Sequence, residues 1–299
     1  MKATFISIYA CILLSSCSSK IIPSATAVTN QLAKDSKGVP MLLGHCTPSS
    51  LLQQPFGNWY DSGFKAYPPQ AEKIAMLQQH LTDTEIEIFL GTWCGDSKRE
   101  VPRLLKTLSQ CGYDTANIKL IMVDHEGVAT KASPQHEEQG KNIFRVPTAI
   151  VYQHKKEIGR IIESPVESWE KDLVKLVTRQ SYTPNYYAAN AFIKTLKSKH
   201  ATDKQVSKMV QRYKGTFKNS AQLNSVGYLF LNQQQFAKAL QTFKLNTLLF
   251  AADSNVWDSL AEAYSIMGNK ARATELYKKV LEINPGDANA TEQIKKLAE

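Results

Sequence analysis

The sequence predicts an α/β domain, a mixed central sheet flanked by helices on both faces, followed by an all-α domain of helical repeats. Three observations predict it. Between residues 85 and 177, segments of strand type take turns with segments of helical spacing in the order β-α-β, a crossover, then β-β-α. Strand signals stop after residue 181. Residues 220–287 then carry an internal period of 34 residues. A chain of 299 residues has room for about two such domains. Its 43% hydrophobic and 21% charged content are those of an ordinary soluble globular protein.

The elements follow in order. Lys2 gives a short positive start, and residues 3–14 are mostly apolar. That stretch is too short to span a bilayer as a helix and has the build of a secretory signal, assigned to residues 1–16. Residues 17–38, rich in Ser, Thr, Ala and Lys, lack periodicity and read as a flexible tether. The α/β domain is expected over 39–180. Its first part, 39–67, is irregular and aromatic (Phe56, Trp59, Tyr60, Phe64, Tyr67). Ile74, Leu77 and Leu81 stand at helical spacing. Residues 85–90 alternate as a strand does. Val101, Leu104, Leu105 and Leu108 share one face of a helix over 96–108. Residues 118–123 read as a buried strand and 134–142 as a short helix. Strands at 148–152 and 157–162 join through a turn at His154-Lys155, and a helix over 166–177 presents Trp169, Leu173, Leu176 and Val177.

The helical domain is expected over 181–299. Thr183-Pro184 has the pattern of a cap followed by proline at the first helical position. Thr202 and Gln205 form a capping-box pattern ahead of Val206, Met209, Val210 and Tyr213. The formal net charge is +9, but there is no long basic stripe and no nucleic-acid motif, so nucleic acid is excluded as a partner. A basic surface suits anionic lipid or acidic partners instead. The six histidines (His45, His80, His125, His136, His154, His200) show no metal-ligand spacing, and Asp124-His125-Glu126 reads as loop chemistry. No metal and no cofactor is implied.

The chemistry concentrates at Trp93-Cys94-Gly95-Asp96-Ser97. Cys94 follows the strand at 85–90 and opens the helix at 96–108, where unpaired N–H groups and the positive dipole end favour a thiolate. Lys98 and Arg99 add positive potential; Asp96 and Glu100 oppose it. Ser97-Lys98-Arg99-Glu100 is itself a capping-box pattern, so the Ser97 hydroxyl either caps helix N–H groups or steadies the Cys94 thiolate. Cys11 lies in the leader, which leaves Cys46, Cys94 and Cys111 as an odd set of thiols beyond Cys17.

These residues resemble the active site of the thioredoxin family with serine in place of the second cysteine. The stretch Gly91-Thr92-Trp93-Cys94-Gly95-Asp96-Ser97 is also similar to that of exported bacterial thioredoxin-like proteins. Pro102 falls where the family places a helix-kinking proline, and Val146-Pro147 where it places a cis-proline loop facing the sulfur. The resemblance covers roughly residues 39–178. It implies a thioredoxin fold, Cys94 and Ser97 as catalytic residues, and Trp93, Val146 and Pro147 as the substrate-binding edge. Two departures are coherent with each other. Ser97 removes the resolving thiol, and Ile88 replaces the buried acid that would deprotonate it. Cys111 lies a helix length away, roughly 20 Å, whereas a disulfide needs Cα atoms within about 7 Å. Cys46 stays open as a partner for Cys94 or Cys111, beside the alternative of two inert buried thiols.

Two further resemblances complete the reading. Leu14-Ser15-Ser16-Cys17 resembles the lipobox of bacterial lipoproteins. This implies lipidation of Cys17 and a place in the envelope of a Gram-negative-type bacterium, facing the periplasm. Ser18 in place of aspartate points to the outer membrane. Trp257, Leu260, Ala261, Tyr264, Gly268, Ala273, Tyr277 and Pro285 resemble a tetratricopeptide repeat at 254–287; Leu223, Val226, Gly227, Phe230, Ala239 and Phe243 repeat it at 220–253. A polar capping helix follows over 287–297. Two repeats fall below the usual minimum of three, so helices within 183–217 are expected to complete the stack. Together these imply a monothiol oxidoreductase that forms a Cys94 mixed disulfide with exported client proteins, released by an external reducing thiol or reductase. The repeats would bind a protein partner. The alternative is a non-catalytic scaffold lipoprotein that uses the same groove and repeats.

Overall fold

The computed structural model describes residues 30–127, 130–196 and 202–299. The signal, the lipobox with Cys17 and most of the tether lie outside the described residues. The expected tether ends earlier than residue 38, because Gln31–Lys34 forms strand β1, paired antiparallel with Pro40–Cys46 (β2). The turn between them closes through Asp35, whose Oδ1 accepts from the N–H groups of Lys37 and Val39 at 2.9 and 2.7 Å, with Gly38 at φ 79°. The aromatic segment is likewise more regular than its composition indicates. After β2 come a 3-10 turn at Pro48–Leu52 and helix α1, Gly57–Ala66.

Then follow α2 (Ala71–His80), β3 (Thr84–Leu90), α3 (Gly95–Gln110), β4 (Ile118–Met122), β5 (Thr148–Gln153), β6 (Lys156–Ile162) and α4 (Trp169–Val177). These match the expected elements to within a few residues. The strands form a six-stranded mixed sheet in the order β1-β2-β4-β3-β5-β6, with only β3 and β4 parallel. The β5–β6 turn is where expected, with His154 and Lys155 at φ 51° and 61°.

Alternation divides the sheet into two faces. Ile86, Ile88 and Leu90 of β3, with Leu120, Met122, Ala149 and Val151, join one core with residues of α1 to α4. Phe89, Ile121, Ile150, Val123, Ile143 and Val146 form a second core on the other face. That face is covered by the connection 123–147, which corrects the expectation of helices on both faces. The short helix expected at 134–142 does not form. There, side chains capture the backbone: Ser133 N–H and Oγ donate to Glu138 Oε2 at 2.9 and 2.7 Å, and Glu137 N–H donates to Ser133 Oγ at 3.0 Å.

The helical part begins with α5 at Tyr187–Ile193, not at Pro184, because Tyr186 takes a left-handed conformation (φ 60°). Helix α6, Asp203–Tyr213, starts with the expected Thr202/Gln205 capping box. Then come α7 (Ser220–Asn232), α8 (Phe236–Leu249), α9 (Ser254–Ile266), α10 (Lys270–Ile283) and α11 (Ala288–Ala298). Every boundary of the α9–α10 pair lies 34 residues after that of the α7–α8 pair. Small residues let paired helices approach. A Cβ on Gly227 would sit 2.4 Å from the Phe243 ring, and Ala239, Ala261 and Ala273 are fully buried. No helix among the described residues is long and apolar enough to cross a membrane.

The two parts share a core. Phe144 and Ile162, each 1% exposed, belong to the helical cluster with Ala189, Phe192 and Leu223 rather than to the sheet cores. Burial of two such side chains is worth about 3–6 kcal/mol. Gly227→Ala is expected to force α7 and α8 apart and to cost about 1–3 kcal/mol; thermal unfolding followed by circular dichroism measures it, and an unchanged midpoint would show that the close approach is not needed.

Candidate functional site

Cys94 is the N-cap of α3, with extended backbone (φ −82°, ψ 126°), and its own N–H donates to Gly91 O at 2.9 Å. Its thiol reaches across to the start of β5, where Sγ–H donates to Val146 O at 3.4 Å. The Val146–Pro147 peptide is cis, as the resemblance implies. Cys94, Val146 and Pro147 therefore meet, although 52 residues separate the first two. The third expected member, Trp93, folds back over Gly91, where a Cβ would lie 2.3 Å from the indole. This is a site that only glycine can occupy. The indole N–H donates to Val123 O at 2.8 Å, and the ring packs 5.0 Å from His125. Trp93 and Cys94 are both half-buried.

Ser97 has a different role from either one expected. It is fully buried, and its Oγ accepts the N–H of Gly91 at 3.3 Å. No hydrogen bond joins it to Cys94 among the described residues. It also does not share a capping box with Glu100, because Glu100 faces inward. Glu100 accepts from Trp169 Nε1 at 3.0 Å, Arg99 Nε at 2.7 Å and Arg103 Nη1 at 3.3 Å. Ser97 thus fixes the loop that carries Cys94, and Glu100 ties α3 to α4. Arg99, expected to add positive potential, is bound by Glu100 and by Asp96, which it reaches at 2.6 Å. Those hydrogen bonds raise its pKa and absorb its charge.

Sequence reasoning missed one cation. Lys131 lies in the connection between β4 and β5 and shares a cleft wall with Arg145, the residue before Val146. Burial, then repulsion from Arg145, holds its ammonium below the usual lysine range, and Cys94 opposes that shift. Nothing in the local sequence marks Lys131, since its position depends on a turn at φ 61° and a hydrogen bond from its N–H to Asp124 O at 2.8 Å.

The other thiols stand apart. Cys111 is the C-cap of α3, at the opposite end of the helix from Cys94. Cys46 ends β2, opposite Leu120 of β4, which in turn is opposite Ile88 of β3. Two strand spacings alone set it about 10 Å to the side, beyond disulfide reach of about 7 Å. All three cysteines among the described residues are free, and burial pushes the Cys46 and Cys111 thiols up to about 11.

The loop Asp124-His125-Glu126 clasps the β1–β2 turn. Asp124 Oδ1 accepts from the N–H groups of His125 and Glu126 at 2.6 and 3.0 Å, and Glu126 Oε1 accepts from Ser36 N–H at 2.8 Å. Ligand atoms of Asp35, His125 and Glu126 come within 4.8 Å of one another, a grouping that sequence spacing did not reveal and that has the donor types of a metal site. One oxygen of each carboxylate is already committed to the turn, so the group has a structural role as it stands. Comparison of the sequence with models of known families and with curated proteins finds no match.

At pH 8 iodoacetamide is expected to modify Cys94, and neither Cys46 nor Cys111, in the native protein. Cys46 and Cys111, protonated and buried, should react only after denaturation. Peptide mass mapping before and after guanidinium checks this, and native labelling of Cys46 would contradict the burial argument.

Proposed function

We propose that this chain is a thioredoxin-like monothiol thiol–disulfide oxidoreductase carrying tetratricopeptide-type repeats. The observation that carries the reading is the meeting of a helix-capping thiol with the carbonyl that precedes a cis-proline, at 3.4 Å. The sheet order, the helix opened by Cys94 and the 34-residue offset of the two helix pairs support the family assignments. On the lipobox resemblance of residues 14–17, the chain is lipid-anchored at Cys17 and faces the periplasm.

The chemistry follows from the thiol's isolation. The Cys94 thiolate attacks one sulfur of a client disulfide; a Cys94–client disulfide forms, and the other client sulfur leaves as a thiolate that takes up a proton. With Ser97 spent on Gly91 and no second cysteine in reach among the described residues, these hold no group that can resolve this bond. An external thiol must attack it, restore the Cys94 thiolate and keep the client sulfur in a new disulfide. The stretch of chain at Val146, just before β5, offers backbone for an extended client to lie against, and Trp93 forms the facing wall.

The test is a pull-down under non-reducing conditions. The wild-type chain is expected to trap clients as disulfide-linked species that disappear with reductant and with Cys94→Ala. Client binding that persists unchanged in Cys94→Ala, with no disulfide-linked species from the wild type, would instead establish a non-catalytic scaffold.

A further inference from the structure

Arg145, the residue before the Val146 carbonyl that meets the thiol, lines a cleft of about 540 Å³ that opens between the sheet part and helices α7 and α9. Lys131 and Arg145 line its sheet side; Asn224, Ser225, Tyr228 and Asn232 line its helical side. A hydrogen bond from Asn232 Nδ2 to Thr130 O at 3.2 Å, and one from Arg145 Nη2 to Ala221 O at 3.2 Å, hold the two walls together.

Both cations have unspent capacity. Among the described residues no carboxylate and no hydrogen-bond acceptor pairs with the Lys131 ammonium, although it is half-buried. Arg145 uses Nη1 on Glu163 at 3.2 Å and Nη2 on Ala221, but its Nε–H is buried with no acceptor. Lys131 thus carries a charge with no counter-ion, and an incoming anion supplies one. The acid within the cleft, Glu262, does not supply the anion, since the Tyr228 hydroxyl donates to it at 2.5 Å. Glu163 serves only one edge of Arg145 and is shared with the Tyr186 hydroxyl.

We infer that this cleft is a carboxylate-binding subsite that receives acidic groups flanking the sulfur attacked by Cys94. The inference rests on the thiol–disulfide reading and deepens it. A thiolate approaching a disulfide set among carboxylates meets like-charge repulsion. Lys131 and Arg145, on the sheet side of the cleft, turn that repulsion into attraction and so select acidic substrates. The carboxylates can belong to an acidic polypeptide segment or to a small peptide thiol.

Two alkylating reagents isolate the effect. Iodoacetate and iodoacetamide consume the same thiolate, so the ratio of their rates at one pH is independent of how much thiolate is present. The wild-type ratio is expected to fall about threefold to tenfold in Lys131→Gln, to be restored in Lys131→Arg, and to shrink in 0.5 M salt. A second arm needs no reactive thiol. The Cys94→Ser chain is titrated by calorimetry with acetyl-Glu-Ser-Glu-amide, its Gln-Ser-Gln counterpart and S-methylglutathione. Preference for the Glu peptide, lost in Lys131→Gln, supports the subsite with a polypeptide source; binding of S-methylglutathione alone supports it with a small thiol. An unchanged alkylation ratio together with equal affinity for the Glu and Gln peptides overturns it. A thiol inert to both reagents, with the peptide preference intact, overturns the redox reading and leaves the subsite standing.

Discussion

The parallel pairing of β3 with β4 is the constraint on which the rest of the site depends. Ile86 to Leu90 run alongside Ile118 to Met122 in the same direction, so both strands end at one edge of the sheet. Strand β5 pairs antiparallel with β3, with Thr148 opposite Phe89, so it begins at that same edge. Three chain segments therefore converge there: the turn that carries Trp93 and Cys94, the exit of β4 toward His125, and the entry to β5 through Val146 and Pro147. A parallel pair also needs a long crossover, and α3 supplies it. Its N-terminus falls at the converging edge, where a thiolate gains most from unpaired N–H groups. The site is thus a result of strand direction before it is a result of any one side chain.

The second level of organisation is the contact between the two parts. Phe144 and Ile162 leave the sheet domain's own cores and pack among helix residues such as Phe192 and Leu223. Phe144 stands two residues before Val146, so the anchor of the interface and the carbonyl that meets the Cys94 thiol share one short stretch of chain. The interface also brings Tyr228 and Asn232 of the first repeated pair up to Thr130 and Lys131. The repeated helices accordingly form one wall of the cleft that Lys131 and Arg145 line.

Much of this was legible in the chain. Alternation at residues 85–90 and the helical spacing of Val101, Leu104, Leu105 and Leu108 are local signals, and strand β3 and helix α3 appear where those signals lie. The 34-residue period, the Thr202 capping box and the paired turn residues His154 and Lys155 were legible for the same reason. Local signals misled where a side chain captures the backbone or where pairing comes from far away. Ser133, Glu137 and Glu138 replace an expected helix by turns. Gln31–Lys34 is a strand because Pro40–Cys46 offers it an edge, although its own composition reads as tether.

By itself, then, the sequence determined which residue types carry chemistry and in which local setting. It placed one thiol at a helix start, with serine three positions on, and set a proline just before a strand. Those are properties of short segments, and short-range physics decides them. The tertiary structure decided what each side chain faces. It turned Ser97 toward Gly91, Glu100 toward Trp169 and Arg99 toward two carboxylates. It kept Cys46 two strands away, and brought Lys131 and Arg145 together on one wall of a cleft. Such pairings depend on strand register and on the path of the 123–147 connection. Electrostatic and hydrogen-bond partners are set by distance in space, which sequence separation does not encode.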